Sequence, residues 1–226
     1  MGAIAHTRWF DARSGREGVE PSRPLPVFTV LLCLAAIAVY AAGQGGAWEW
    51  SREALARGEV WRVFTGHVAH WSLEHLAWDV GALALLGVWL ERRGRARFVS
   101  LVAGAAAAIS IGLVWLDPGL AAYRGLSGVD STLFVAVCAE LLRDALAGRD
   151  RRGAVAAGML LVGFVAKVGA EALTGASLFV SNAVGPSGAE VTPLAHAIGC
   201  GVALVFAALS LARRRTIAAL AERVRF

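Results

Sequence analysis

A serine with a glycine on either side of it lies where a polar connector passes into an apolar segment. The stretch from Gly125 to Asp130 reads Gly-Leu-Ser-Gly-Val-Asp, with the serine at position 127. Glycines have no side chain, so another backbone or a reacting carbonyl group can approach the Ser127 hydroxyl closely. This pattern suits a nucleophile. Small residues at the start of a membrane helix also serve close packing, and the string by itself leaves both interpretations open.

A serine nucleophile needs a neighbouring base, because its hydroxyl is a weak nucleophile at its own pKa. Histidine is best suited to this role near pH 7, and His196 fits it. The tetrahedral intermediate of acyl transfer also needs N–H donors for its oxyanion, which the Ser127 backbone and His75 are placed to supply. The pattern therefore indicates hydrolysis of an acyl compound by a serine and a histidine.

The composition places these residues in a membrane protein. Hydrophobic residues make up 57% of the 226 residues, the mean hydropathy is +0.60, and the apolar residues occur in long blocks. Such blocks are typical of a polytopic membrane protein. Its three cysteines lie inside these blocks, which argues against disulfides and thiolate metal sites.

Six apolar segments are long enough to span a membrane, which predicts an all-α bundle of six transmembrane helices. They cover residues 26–42, 72–90, 98–116, 127–146, 154–173 and 192–212. The membrane domain is thus predicted at 26–212, with an N-terminal tail at 1–25 and a C-terminal tail at 213–226.

The arginines predict the orientation of this bundle. Seventeen of them fall in the two tails and in the connectors after the second and fourth segments, whereas the other connectors hold four. Connectors rich in Lys and Arg stay in the cytoplasm, so both termini are predicted to be cytoplasmic. The same asymmetry accounts for the net charge of +5, and no nucleic-acid partner is needed to explain it.

In this topology the second, fourth and sixth segments enter from the outer side, and each begins with polar groups. His70, His75 and Asp79 belong to the second, Ser127 and Asp130 to the fourth, and His196 to the sixth. Ionisable groups inside membrane helices are costly and usually mark a functional site. We therefore expect these groups to converge on one site near the outer face.

Several short strings, in this order and spacing, resemble the rhomboid intramembrane serine proteases between about Trp61 and Ala203. They are Trp61-Arg62-Val63-Phe64-Thr65, then His70, His75 and Asp79, then Gly87, Glu91 and Gly94, then Gly125-Leu126-Ser127-Gly128, and lastly Ala195, His196 and Gly199. The resemblance implies a six-helix bundle with Ser127 as nucleophile and His196 as base. His75, Asp79, Gly125 and His70 would support the oxyanion site, while Trp61, Arg62, Glu91 and Gly199 would be structural.

The resemblance also implies the partners and the location. The substrates would be membrane-anchored proteins in the lipid bilayer, cleaved without a cofactor or metal. The chain is similar to the rhombosortase branch, whose substrates are thought to be exported proteins with C-terminal sorting tails. It would lie in the bacterial inner membrane, with the active site open to the periplasmic side.

Two residues depart from the rhomboid pattern. Asp79 stands where an asparagine is usual, and Ser131 stands where an aromatic residue often packs on the histidine. An ionised carboxylate cannot donate to an oxyanion. Either Asp79 is protonated and donates as asparagine would, which is the form we favour on the sequence, or it is ionised and orients or charges His75, which then becomes the oxyanion donor.

Other uses of the same residues remain open. Five residues are legitimate zinc ligands, so a zinc-dependent intramembrane hydrolase is one alternative: His67, His70, His75, Asp79 and His196. A catalytically inactive rhomboid-like protein that binds membrane clients is another. Lys167 and Glu171, spaced i, i+4, are predicted to form an ion pair, and Glu91 is predicted to pair with Arg92 or Arg93.

Overall fold

Long helices occur at all six predicted segments. The computed structural model describes residues 25–174 and 192–223. The six long helices are α1 (Val27–Ala41), α5 (Leu73–Arg93), α6 (Arg95–Leu116), α7 (Ser127–Ala147), α8 (Arg151–Thr174) and α9 (Pro193–Arg223). The predicted N-terminal tail lies almost wholly outside the described residues, and α9 continues beyond the predicted membrane boundary at 212.

Four of these helices are long and apolar enough to cross a membrane: α5, α6, α8 and the α9 portion Pro193–Arg213. The protein is therefore an integral membrane protein. Helix α1 has only 15 residues, and α7 carries four charged side chains, so a count of six spans stays a prediction. Large apolar side chains such as Leu85, Val162 and Leu173 are exposed, as expected of a surface that faces lipid.

Helix α7 lies at the centre of the bundle and packs against α5, α6, α8 and α9. Its contact with α9 depends on glycine, because a Cβ at Gly199 would overlap the carbonyl oxygen of Gly128. The hydroxyl of Thr132 donates to the Gly199 carbonyl at 2.9 Å across the same contact. Small residues let two membrane helices approach closely, so this contact fixes α9 beside the start of α7.

Glu91 joins α5 to α1 instead of pairing with Arg92 or Arg93 as the sequence predicted. Its fully buried carboxylate accepts hydrogen bonds from the backbone N–H groups of Phe28 and Thr29 at 3.0 and 2.8 Å, and from the Thr29 hydroxyl at 2.8 Å. The first N–H groups of a helix have no partner within the helix and attract an anion. The start of α1, together with Arg95, whose Nε lies 3.5 Å from Oε1 of Glu91, therefore takes the place of Arg92 and Arg93.

Between α1 and α5 the chain forms three short helices, α2 (Gly45–Trp48), α3 (Arg52–Ala56) and α4 (Arg62–Thr65), and a 3₁₀ turn (Gly66–Val68). Strand β1 (Trp50–Ser51) pairs antiparallel with β2 (Ala122–Tyr123), which precedes α7. Arg62 is buried and donates to the carbonyls of Gly46 and Glu49. The Arg62 bonds tie α4 to the start of the outer loop, and the β1–β2 pair holds this loop against the connector that leads to Ser127.

The tryptophans of this loop do not share one environment. The sequence is compatible with an interfacial aromatic belt of Trp48, Trp50 and Trp61, and Trp48 and Trp61 are indeed exposed. Trp50 is fully buried, and a Cβ at Gly66 would overlap its backbone. Trp50 is therefore a core residue of the outer loop and not part of a belt.

His67 fastens the 3₁₀ turn to α6 and is buried. Its Nε2 lies 3.1 Å from the Ala106 carbonyl and 3.3 Å from the Ser110 hydroxyl, so this nitrogen carries the proton. Its Nδ1 has no hydrogen-bond partner within the described ranges. Burial lowers the pKa of His67 from 6.5 to about 4, because a second proton would create a buried cation.

We expect His67 to make the fold sensitive to mild acid. Below pH 6.5 the unfolded chain binds a proton at this residue and the folded chain does not, so stability falls as the pH drops towards 4. The full loss from this one group is about 3 kcal/mol. Unfolding of the detergent-solubilised protein should be measured from pH 7.5 to 4.5, with His67→Gln as the variant lacking the titrating group. An equally steep pH dependence in His67→Gln would contradict the assignment.

Candidate active site

The polar residues predicted to converge do so around one cavity. The cavity has a volume of about 830 Å³ and is bordered by α5, α7, α8 and α9. Its polar lining comprises His75, Asp79, Ser127, Asp130, Ser131, Lys167 and His196. Most of the remaining wall is apolar, with side chains such as Trp78, Phe134 and Phe164. The site is thus a largely hydrophobic cavity with a few polar groups, as is usual for ligand sites.

Ser127 is the first residue of α7, and Gly125 sets the turn that leads to it. Gly125 has a φ of +125°, a conformation that favours glycine, and its N–H donates to the Gly66 carbonyl at 3.2 Å. A Cβ at Gly125 would lie only 2.6 Å from Nε2 of His75. The Tyr123 hydroxyl donates to the Gly125 carbonyl at 2.9 Å. Gly125 is therefore required both by its backbone angle and by the close approach of His75.

Asp79 connects α5 to the turn before the serine. Its Oδ2 accepts a hydrogen bond from the backbone N–H of Leu126 at 2.7 Å. Nε2 of His70 lies 3.1 Å from the same oxygen, and Nε2 of His75 lies 3.2 Å from it. All three side chains are buried. The two histidines predicted to support an oxyanion therefore direct these nitrogens towards Asp79.

His196 is held by a residue that the sequence did not predict for the site. Its Nδ1 lies 3.0 Å from Oε2 of Glu171 on α8, and both side chains are buried. A carboxylate at this nitrogen fixes the tautomer with the proton on Nδ1, which leaves Nε2 as the basic nitrogen. Nε2 is buried and has no hydrogen-bond partner in residues 25–174 and 192–223. His196 thus has Nδ1 oriented by Glu171, while its Nε2 is enclosed and makes no hydrogen bond with the Ser127 hydroxyl.

Lys167 shares the carboxylate of Glu171. Its Nζ lies 2.7 Å from Oε2, so the ion pair predicted from the i, i+4 spacing is present. The spacing places both residues on one face of α8 but does not show that this face meets His196. An acidic residue inside an apolar segment can mark a functional site. The sequence alone could not assign Glu171 to His196, because that requires knowing how α8 packs against α9.

Two further residues of α7 border the cavity beside Ser127. The Ser131 hydroxyl donates to the carbonyl of Ser127 at 2.7 Å, so this side chain is bonded to its own helix and does not pack as an aromatic ring would. Asp130 is 7% exposed, and neither of its carboxylate oxygens has a hydrogen-bond partner among the described residues. Asp130 is the unexplained polar group of the site.

The positions of the candidate zinc ligands can be compared with what a zinc-dependent hydrolase would require. His70, His75 and Asp79 do meet, but through contacts of hydrogen-bond length between nitrogen and oxygen. In the described part of the chain, no group of three or more His, Cys, Asp or Glu side chains has a geometry suited to a metal ion. The donor set therefore fits a hydrogen-bonded cluster better than a metal centre.

Comparison with known families agrees with this site. The family model described as Rhomboid domain matches residues 57–213, which is well over half of the chain and contains every polar residue of the cavity. The chain therefore belongs to the rhomboid family, which consists of intramembrane serine proteases. A search of curated proteins found no match. The family predicted from the short strings is confirmed, while the rhombosortase branch stays a prediction.

Proposed function

We propose that this protein is a serine endopeptidase that cleaves membrane-anchored proteins with Ser127 as nucleophile and His196 as general base. One observation carries the proposal. His196 borders the same cavity as Ser127, its Nδ1 is held by a buried carboxylate, and its Nε2 has no partner among the described residues. A carboxylate at Nδ1 leaves Nε2 as the basic nitrogen, and proton transfer requires the Ser127 hydroxyl to come within hydrogen-bond distance of it when substrate binds.

The proposed reaction follows from these positions. Nε2 of His196 accepts the Ser127 hydroxyl proton as Oγ attacks the substrate carbonyl, and the imidazolium that forms is stabilised by Glu171. The same nitrogen then protonates the leaving amine, which releases the C-terminal fragment and leaves an acyl-enzyme on Ser127. Water, deprotonated by His196, hydrolyses this ester. Glu171 thus adds a third member to the predicted pair of serine and histidine.

The oxyanion donor in this scheme is the backbone N–H of Ser127. Ser127 begins α7, where N–H groups lack partners within the helix and the helix dipole favours negative charge. We propose that Asp79 is ionised, because its Oδ2 accepts from the Leu126 N–H and faces two histidine nitrogens. Asp79 then fixes the turn before the nucleophile and orients His75, which is the second of the two alternatives left open by the sequence.

Asp79→Asn is accordingly expected to lower kcat/KM by about 10²-fold at every pH, as does the loss of an oxyanion-site contact. The amide keeps the size of the side chain but removes the charge that holds two histidines and the turn. The measurement is the pH profile of cleavage for the wild type, for Asp79→Asn and for Asp117→Asn, an aspartate outside the cavity. Activity retained in Asp79→Asn and extended to higher pH would show that Asp79 acts as a protonated donor.

The proposal includes the membrane setting and the substrate class. The arginine distribution supports cytoplasmic termini and a cavity that opens on the opposite side of the membrane. The bacterial inner membrane, with the cavity open to the periplasm, is the setting that the family resemblance implies. The mostly apolar wall of the cavity suits an extended apolar segment of the substrate. The run Thr65-Gly66-His67-Val68-Ala69-His70 resembles the rhombosortase branch. Together with the features above, it supports that branch and C-terminal sorting tails of exported proteins as substrates.

A serine-directed fluorescent phosphonate tests this function without knowledge of the substrate. The purified protein in detergent should be labelled once, and peptide mapping should locate the label at Ser127. Heat-denatured protein is the control for non-specific reaction. Absence of labelling at Ser127 would indicate the catalytically inactive, client-binding alternative.

A further inference from the structure

Lys167 is the only lysine in the sequence, and it borders the cavity of the candidate active site. All the other cationic residues of the chain are arginines. Its Nζ lies 2.7 Å from Oε2 of Glu171, and the same oxygen lies 3.0 Å from Nδ1 of His196. One buried carboxylate oxygen is therefore shared between an ammonium group and the proposed base, and the proposed reaction gives the ammonium no role.

The surroundings of Lys167 suit a single compact charge. The ring centroid of Phe164, one turn earlier on α8, lies 5.8 Å from Nζ, a distance at which an aromatic ring attracts a cation. An arginine would bind both oxygens of a carboxylate with its planar fork, whereas an ammonium is a point charge. Lysine can thus neutralise Glu171 and leave the contact of this carboxylate with His196 intact.

The ionisable groups near His196 come from few elements. Five such residues border the cavity with His196 or contact its ring: His75 and Asp79 on α5, Asp130 on α7, and Lys167 and Glu171 on α8. Helix α6 also packs against α9, but it has no ionisable side chain from Phe98 to Leu116. Asp79 binds histidines of its own cluster. In the described part of the chain, Glu171 is the carboxylate that contacts His196.

We propose that Lys167 is a positioning residue that acts through Glu171 and keeps His196 neutral, hence able to serve as the base. The inference rests on the proposed endopeptidase function. An ammonium, a carboxylate and a neutral imidazole together carry no net charge, which is the least costly combination inside a membrane. A proton on His196 would place a second cation within about 6 Å of the ammonium, where like charges oppose each other.

Removal of the ammonium should reverse this preference. The buried Glu171 carboxylate would then be an unneutralised charge, and a proton on His196 would restore a neutral pair. An imidazolium cannot accept the Ser127 proton, so the enzyme would be inactive until a higher pH removes that proton. In the wild type, Glu171 stabilises the imidazolium during the reaction, while Lys167 prevents it from forming before the substrate arrives.

The test is the pH profile of kcat/KM for a fluorogenic transmembrane peptide from pH 6 to 9.5. In Lys167→Met the acidic limb should lie about one pH unit or more above that of the wild type, so cleavage on the limb is about 10-fold slower. At high pH the two rates should converge to within about threefold. Lys167→Arg keeps the charge, and its limb should stay within about 0.3 pH units of the wild type.

Arg57→Met is the matched control for loss of a cation. Arg57 is exposed, pairs with Glu53 and Glu59 in the outer loop and lies outside the cavity, so its removal should not move the limb. A loss in Lys167→Met by the same factor at every pH would overturn the inference, since a packing role leaves the limb in place. A limb displaced equally in Lys167→Arg and Lys167→Met would also overturn it, because the charge would then be irrelevant.

A second measurement on the wild type remains decisive if Lys167→Met does not fold. Nitrogen-15 NMR of the histidine-labelled protein in detergent reports the protonation of each ring nitrogen, and His196→Ala assigns the His196 signals. At pH 7.5 we expect one protonated and one bare nitrogen on this ring. Two protonated nitrogens would overturn the inference.

Phosphonate labelling separates failure of the inference from failure of the function. Protein that is labelled at Ser127, but whose acidic limb does not depend on the charge of Lys167, is a serine protease in which this lysine is only structural. Protein that is neither labelled nor active on the peptide lacks the proposed function, and the role of Lys167 is then rejected with it.

Discussion

Ser127→Ala and His196→Ala are each expected to reduce peptide cleavage to the uncatalysed background, a loss on the order of 10⁴-fold or more. In the proposed mechanism, alanine at 127 removes the hydroxyl that attacks the carbonyl, and alanine at 196 removes the base that activates it. Since the two residues act as one unit, the double variant should be no less active than either single variant. Cleavage of a fluorogenic transmembrane peptide in detergent measures the loss.

The control for these variants is Ser210→Ala. The Ser210 hydroxyl donates to the Phe206 carbonyl of its own helix at 2.8 Å and does not line the cavity, so its removal should leave activity within about twofold. Thermal unfolding should show that Ser127→Ala and His196→Ala remain folded. Cleavage above background in Ser127→Ala would exclude the serine mechanism and favour the zinc hydrolase.

Glu171→Gln is expected to lower kcat by about 10³-fold with little change in KM. Glutamine keeps the size of the side chain, but its amide can donate to Nδ1 of His196 and stabilise the wrong tautomer, with the proton on Nε2. It also removes the negative charge that stabilises the imidazolium formed when Ser127 attacks. The loss should therefore appear in the chemical step and not in substrate binding.

Lys167 provides the control that separates two roles of Glu171. If Glu171 served only to neutralise Lys167, the double variant Lys167→Met/Glu171→Gln would recover near wild-type activity, since neither charge then remains. If it orients His196, the double variant stays as slow as Glu171→Gln. Single-turnover rates at saturating substrate distinguish these outcomes, and recovery in the double variant would contradict the assignment of Glu171 to the site.

The sequence was sufficient to predict the protein family and the positions of the helices along the chain. Apolar blocks of spanning length can form little other than helices in a membrane, so their ends could be placed within a few residues, except that α9 continues to Arg223, beyond the predicted boundary at 212. The sequence also predicted which polar groups lie at the same depth in the membrane. Arginine counts set the expected direction of each segment, and the depth of Ser127 and His196 follows from that direction and from the rise per residue. Both residues do border one cavity.

The partners of these groups were decided by tertiary structure alone. Spacing along a helix shows which residues share a face, as for Lys167 and Glu171, but the neighbour of that face depends on how adjacent helices rotate and pack. Glu171 meets His196 because α8 and α9 both pack on α7, and the contact of Gly199 with Gly128 sets how closely α9 approaches. Glu91 likewise binds the start of α1, 62 residues away, and not the adjacent arginines. Local sequence determines the helices and the depth of each group, whereas hydrogen-bond partners far apart in the chain are fixed only when the helices pack.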